Sequence, residues 1–180
     1  MIKKIKASRS EKIIFFFLIS LAIFSLSSFF LIKNKCLFVK NYNPEKLSFD
    51  KPNNIAILNV ECGNVIIELY PNISPNAVER FKTLVRSKAY DDVAFHRVIK
   101  DSLVQAGDLE FGKKGNIDYG KIGTGQSGLG TINSEIDVPF NYERGSVGLA
   151  RTQKYNTEDS QFFVTLKDEP LYELSLIHIS

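Results

Sequence analysis

The pattern of apolar and polar positions divides the chain into stretches of different character. Ile13 to Ile32 is an apolar block broken only by Ser20, Ser25, Ser27 and Ser28. As a helix it would span about 30 Å, the thickness of a bilayer's hydrocarbon core. Asn41 to Asn54, with Pro44 and Pro52 among polar residues, reads as a linker. From Asn54 the period becomes two. Ile55 to Val60 and Val65 to Leu69, joined through Glu61-Cys62-Gly63-Asn64, predict an antiparallel hairpin. Ser74-Pro75 then offers a cap and a first helical residue. Ala77, Val78, Phe81, Leu84 and Val85 follow at one-face spacing, which predicts a helix of about twelve residues. Further strands are expected at Ala94 to Ile99, Leu103 to Ala106, Ser146 to Arg151 and Gln161 to Leu166.

Short strands with one helix among them indicate a β-rich α+β domain, with a barrel as one solution. Phe111 to Gly130 stands apart: it holds seven of the eleven glycines and has no hydrophobic period. It reads as a long loop shaped by its backbone. Within it, Gly123-Thr124-Gly125-Gln126-Ser127-Gly128 matches the dinucleotide fingerprint letter for letter. A nucleotide site needs a strand before that motif and a helix after it. Here neither is expected, so no nucleotide is.

Charge sharpens the division. Residues 1 to 50 carry nine Lys and Arg against three acids, leaving the remainder with 14 against 17. The basic character belongs to the front, and the part able to fold is mildly acidic, which argues against nucleic acid as a partner. Lys3, Lys4, Lys6, Arg9 and Lys12 precede the apolar block, an arrangement that keeps the N-terminus cytoplasmic and sends the rest across. An uncleaved anchor is favoured, because Phe29 to Ile32 continues the apolar run beyond the small residues at Ser25-Leu26-Ser27. A cleaved signal peptide is the alternative. Cys36 and Cys62 make neither a disulfide framework nor a metal site by number and spacing, and are expected to be free thiols.

Conventional catalytic sets are missing. His96 has apolar strand neighbours and is expected to be a hydrogen-bonded residue at a core edge. Asp91-Asp92 falls in a turn, and no residues stand at metal-ligand spacing. What remains is Phe95-His96-Arg97-Val98-Ile99, Leu103-Val104-Gln105-Ala106-Gly107-Asp108, Gly148-Leu149-Ala150-Arg151 and Ser160-Gln161-Phe162-Phe163. Strand alternation places Arg97 with Phe95 and Ile99, Gln105 with Leu103, and Gln161 with Phe163.

These runs resemble the cyclophilins, the peptidyl-prolyl cis-trans isomerases, and in particular their bacterial envelope type. The resemblance covers about Asn54 to Tyr172: the hairpin NVECGNVIIELYP, the helix SPNAVERFKTL, then AYDDVAFHRVI, SQFFVTL and the spacing from GLARTQ to SQFF. It implies an antiparallel cyclophilin-like barrel with Arg97 as principal catalytic residue and Gln105 beside it. Leu103 and Phe163 would line a proline pocket, Ala150 and Gln161 would contact the substrate backbone, and Arg151 and Tyr172 would join the substrate site. The implied substrates are proline-containing polypeptides, with no cofactor and no metal. Some positions depart from the family. Ser102 stands where a pocket phenylalanine is usual, Arg151 and Thr152 where asparagine or alanine is common, and Tyr172 where a leucine is. Leu171 replaces a tryptophan common in eukaryotic members, so strong cyclosporin binding is not implied.

The family pattern breaks off at LYELSLIHIS, and the chain reads as truncated, with a barrel left incomplete at its C-terminal side. The expected organisation is a basic cytoplasmic tail (1–12), a transmembrane signal anchor (13–32), a linker (33–53), an isomerase domain (54–174) and an unassigned tail (175–180). The expected function is non-covalent isomerisation of Xaa-Pro bonds on the periplasmic side of a membrane. The alternative is a proline-segment binding or chaperone module with little turnover.

Overall fold

A computed structural model of the chain describes residues 8–34, 36, 39, 43–136, 142–168 and 177–179. They fall into two compact units: Met1–Asn43 with Asn59–Asn64, and Pro44–Leu58 with Val65–Ser180.

The first unit is built on α1 (Arg9–Lys33). Its start is written in Ser8 and Glu11. The Glu11 amide donates to Ser8 Oγ at 3.2 Å and the Ser8 amide donates to Glu11 Oε2 at 2.7 Å, a reciprocal cap for two otherwise unpaired donors. The helix therefore begins inside the basic segment, four residues ahead of the apolar block. None of its residues is buried, and its most apolar window has a mean hydropathy of 2.5. In the same unit Cys36 and Cys62 are joined by a disulfide, their Cα atoms 4.9 Å apart. The expectation of free thiols is thus corrected. A separation of 26 residues carries no pairing signal, and the two meet because Cys62 lies at the tip of a hairpin.

That hairpin consists of β1 (Ile55–Val60) and β2 (Gly63–Glu68). The second unit adds α2 (Pro75–Arg86), the twelve-residue helix that the apolar spacing predicts, burying Ala77, Val78, Phe81 and Leu84. Its cap differs from expectation. The buried Ser74 hydroxyl has no partner, and the Glu135 carboxylate instead accepts from the amides of Asn76 (2.9 Å) and Ala77 (3.1 Å). A full negative charge suits the positive end of a helix better than a hydroxyl does.

The remaining strands are β3 (Arg97–Ile99), β4 (Leu103–Ala106), β5 (Val147–Leu149), β6 (Phe162–Thr165) and β7 (Ile177–Ile179). They form an antiparallel sheet in the order β3-β4-β6-β5-β7. Strand β7 comes from the tail left unassigned above: Leu149 pairs with Ile177 and Val147 with Ile179. Edge pairing uses backbone groups, so it tolerates many sequences. Among the described residues the sheet is open at β3 and β7, and the closed barrel is not formed.

Alternation gives the sheet two different faces. Ala106, Val147, Leu149 and Phe162 pack with Ala77, Val78 and Phe81 of α2 and with Ala56, Ile67 and Leu69. The rings of Phe81, Tyr90 and Phe162 lie within 5.2 to 5.6 Å of one another. The opposite face carries Arg97, Gln105, Leu103 and Phe163.

The disulfide closes a loop of 26 residues, for which chain entropy predicts a contribution of about 3.5 kcal/mol. Thiol titration of the unfolded, unreduced chain in detergent should find no free thiol, and reduction should lower the urea midpoint. A midpoint indifferent to reductant would show that the bridge adds no stability.

Candidate active site

The sheet's register places the first residues of the site. Arg97 on β3 stands opposite Gln105 on β4, and Gln105 stands opposite Phe163 on β6, forming one lateral row. Neighbours in such a row lie roughly 5 Å apart, close enough for side chains to bond. Arg97 is exposed, and its Nη1 donates to Gln105 Oε1 at 3.2 Å. Gln105 Nε2 donates to Gln161 Oε1 at 2.9 Å. Gln161 Nε2 donates in turn to the carbonyls of Gly123 (3.0 Å) and Gly125 (2.9 Å) in the glycine-rich loop. Every donor faces an acceptor, so each amide has one favoured orientation.

The loop itself is held by a residue to which the sequence assigned no role. Asp108 is fully buried, and its carboxylate gathers four backbone amides. Oδ1 accepts from Glu110 (3.2 Å) and Phe111 (2.7 Å), and Oδ2 accepts from Gly123 (2.7 Å) and Gly125 (2.9 Å). Burial by itself would raise this carboxyl. The amide donors, Phe111 and Gly125 foremost, outweigh it and hold the pKa below the usual 3.8. The nearness of the chains here requires glycine. A Cβ on Gly125 would collide with Asp108 Oδ1, and one on Gly107, at φ 92°, with the Ser160 carbonyl oxygen. The amides of Gly123 and Gly125, which a phosphate would need, are committed to the protein's own anion. The far side of the loop is fixed by Asp159, which accepts from the Ser127 amide and hydroxyl and pairs with Arg80 of α2.

Gln105, Gln161, Ala150 and Arg151 share a cleft of about 260 Å³ with Gly123, Gly125 and Thr157. The candidate residues Gln105, Ala150, Arg151 and Gln161 are thus brought together, with Arg97 bonded to the first. The Arg151 guanidinium is only partly available to a ligand. Its Nε lies 3.7 Å from Glu158 Oε1, a carboxylate with no exposure, and its Cζ sits 4.7 Å over the Tyr155 ring. Arg151 serves chiefly as a wall braced from behind.

The apolar candidates form a second cluster: Leu103, Phe163 and Tyr142, with Ala150 against it. The Tyr142 and Phe163 ring centroids are 5.5 Å apart, and the three side chains are 1 to 3% exposed. Leu103 and Phe163 therefore share a face but are buried, packed with Tyr142, which strand spacing could not place. Tyr172 and Leu171 lie outside the described residues. The His96 ring packs beside Gly123.

A model of the family described as cyclophilin type peptidyl-prolyl cis-trans isomerase/CLD matches residues 55–177. A probable peptidyl-prolyl cis-trans isomerase of Brucella suis is 43% identical over 122 residues, covering 66% of this chain and 61% of that protein. The isomerase cyp18 of Streptomyces antibioticus is 33% identical over 111 residues, covering 62% and 61%. The chain thus spans about 61% of the length of these curated relatives. A Cryptosporidium parvum cyclophilin-type isomerase, crystallised in the presence of the dipeptide Ala-Pro, superposes with TM-score 0.56 at 27% identity, covering 65% of this chain and 70% of that one. Cyclophilin AquaCyp293 of Hirschia baltica shares the fold, with TM-score 0.59 at 20% identity, covering 78% and 70%.

Burial is the leading cause that lowers the His96 pKa below 6.5, against the nearby Asp108 charge that raises it. With the folded pKa depressed, the unfolded chain takes up the proton first. The stability contributed by the neutral ring is full above pH 6.5 and is lost as the pH falls through the folded pKa. The melting temperature should fall on acidification from about pH 8 to about pH 5, and less so in His96→Gln. Equal pH dependence in the two proteins would contradict this assignment.

Proposed function

We infer that this chain, which belongs to the cyclophilin-type peptidyl-prolyl cis-trans isomerase family, accelerates cis-trans rotation of Xaa-Pro bonds in polypeptides. The observation that carries the reading is the Arg97–Gln105–Gln161 row, bonded end to end beside an open cleft. Rotation is slow because amide resonance must be broken, at a cost of about 18 to 20 kcal/mol. No bond is cleaved, and neither a nucleophile nor a cofactor is required. In the twisted amide the prolyl nitrogen gains a lone pair and the carbonyl oxygen turns away from conjugation. A guanidinium has five N–H donors, so the bond to Gln105 orients Arg97 without exhausting it. The remaining donors stabilise the twisted form by hydrogen bonding, more strongly where water is excluded. Ala150 and Gln161 flank the substrate backbone in the cleft. Leu103 and Phe163 are buried with Tyr142, so a prolyl ring reaches that wall only if the cluster opens.

Two features favour a second reading, a proline-segment binding module with little turnover: Ser102 stands where the family usually has a pocket phenylalanine, and Leu103 and Phe163 are buried together with Tyr142. Isothermal titration of a proline-containing peptide beside an isomerisation assay separates the two, since tight binding without acceleration belongs to the module.

The location proposed for the isomerase domain is the extracytoplasmic side of a membrane, with α1 as anchor or, if cleaved, as leader. The unburied apolar helix and the basic residues ahead of it support this. The Cys36–Cys62 disulfide supports it independently, because such bridges persist in oxidising compartments.

Replacing Arg97 by Ala should lower kcat/KM for a proline peptide by about 100-fold. Arg97→Lys should recover only part of the loss, since it keeps charge without the planar fork. Unchanged turnover in Arg97→Ala would remove this residue from the mechanism.

A further inference from the structure

We propose that Asp108 is a positioning residue for isomerisation, setting the orientation of the Arg97–Gln105–Gln161 row through the glycine-rich loop without touching substrate. The inference rests on the isomerase reading of that row.

The geometry runs in one direction. Asp108 Oδ2 draws in the amides of Gly123 and Gly125, and the carbonyls of the same two glycines receive Gln161 Nε2. An amide side chain has distinct donor and acceptor ends. With its NH₂ end held between two carbonyls, Gln161 must present its oxygen to Gln105. Gln105 then spends an N–H on that oxygen and must present its own oxygen to Arg97. Reversing either amide would set oxygen against oxygen or N–H against N–H at its contacts. The row's polarity is therefore decided at its buried end, by a group that can only accept. Asparagine at position 108 would replace one of the two acceptor oxygens by a donor, facing either the Glu110 and Phe111 amides or those of Gly123 and Gly125. The second arrangement frees the loop segment that holds Gln161.

Asp108 has no other evident task in the site. It is fully buried, does not line the cleft, and accepts only backbone amides. A side chain placed there for loop stability alone would produce unfolding when changed. A positioning residue would produce loss of turnover in folded protein, and that difference can be measured.

The experiment uses the full chain in detergent micelles and a proline-containing tetrapeptide, with kcat and KM separated by NMR exchange spectroscopy. In folded Asp108→Asn, kcat should fall about tenfold with KM within about twofold of the parent value. Gln161→Ala should show a similar loss, and the double variant should be no slower than the slower single one. Unchanged kcat in folded Asp108→Asn, or losses that multiply in the double variant, would overturn the proposal. Should Asp108→Asn fail to fold, the parent protein decides by its side-chain amide signals. A motionally restricted Gln161 NH₂ with slow hydrogen exchange is expected, and a freely rotating one would overturn the proposal. Absence of isomerisation in the parent protein would defeat the isomerase reading instead, and the amide measurement would still judge the role of Asp108.

Discussion

A glycine-rich stretch without apolar anchors keeps one shape only if its backbone donors find fixed partners, because burial offers it almost nothing. Here that requirement is met by two carboxylates. Asp108 collects four amides on one side, and Asp159 holds Ser127 and pairs with Arg80 on the other. Charged acceptors make stronger bonds than neutral ones, which compensates for taking the charges out of water. The cleft wall, the seat of Gln161 and the near contact of Gly125 with Asp108 all follow from that exchange.

The sheet supplies the second element through its period of two. One face sinks Phe162, Val147 and Leu149 against α2, which fixes the strands. The other face can then afford polar groups in a row, since it owes the core only Leu103 and Phe163. Adjacent residues divide the work: Phe162 is packed against Phe81 and Tyr90, while Phe163 lies on the side of the site. A register slip of one residue on β6 would exchange them and undo both faces.

Local pattern was enough to read most of the framework. The hairpin, α2 and β4 carry their periods openly, and Arg97, Gln105 and Gln161 sit in runs whose alternation already placed them. The resemblance to cyclophilins then joined those runs into one site. What stayed hidden depended on contacts between distant residues. Nothing near Ser74 announces that Glu135 will cap its helix, and nothing near Phe163 announces Tyr142. Asp108 was visible only as an acid following Gly107 and preceding a loop without apolar period. Two cysteines 26 residues apart gave no sign of their union, because the hairpin pattern places Cys62 at a turn but nothing in it says that Cys36 lies beside that turn. The ends of β3 and β5 were overrun because edge and flanking residues such as Ala94 make single backbone bonds rather than ladders.

The bridge between Cys36 and Cys62 alters what a single proteolytic cut can accomplish. A protease that nicks the backbone anywhere between those two residues severs the chain but leaves the fragments covalently attached through sulfur. Shedding of the folded portion from α1 then demands a second chemical event, reduction, or a cut on the α1 side of Cys36. A single accidental scission in the polar linker therefore does not release the folded portion.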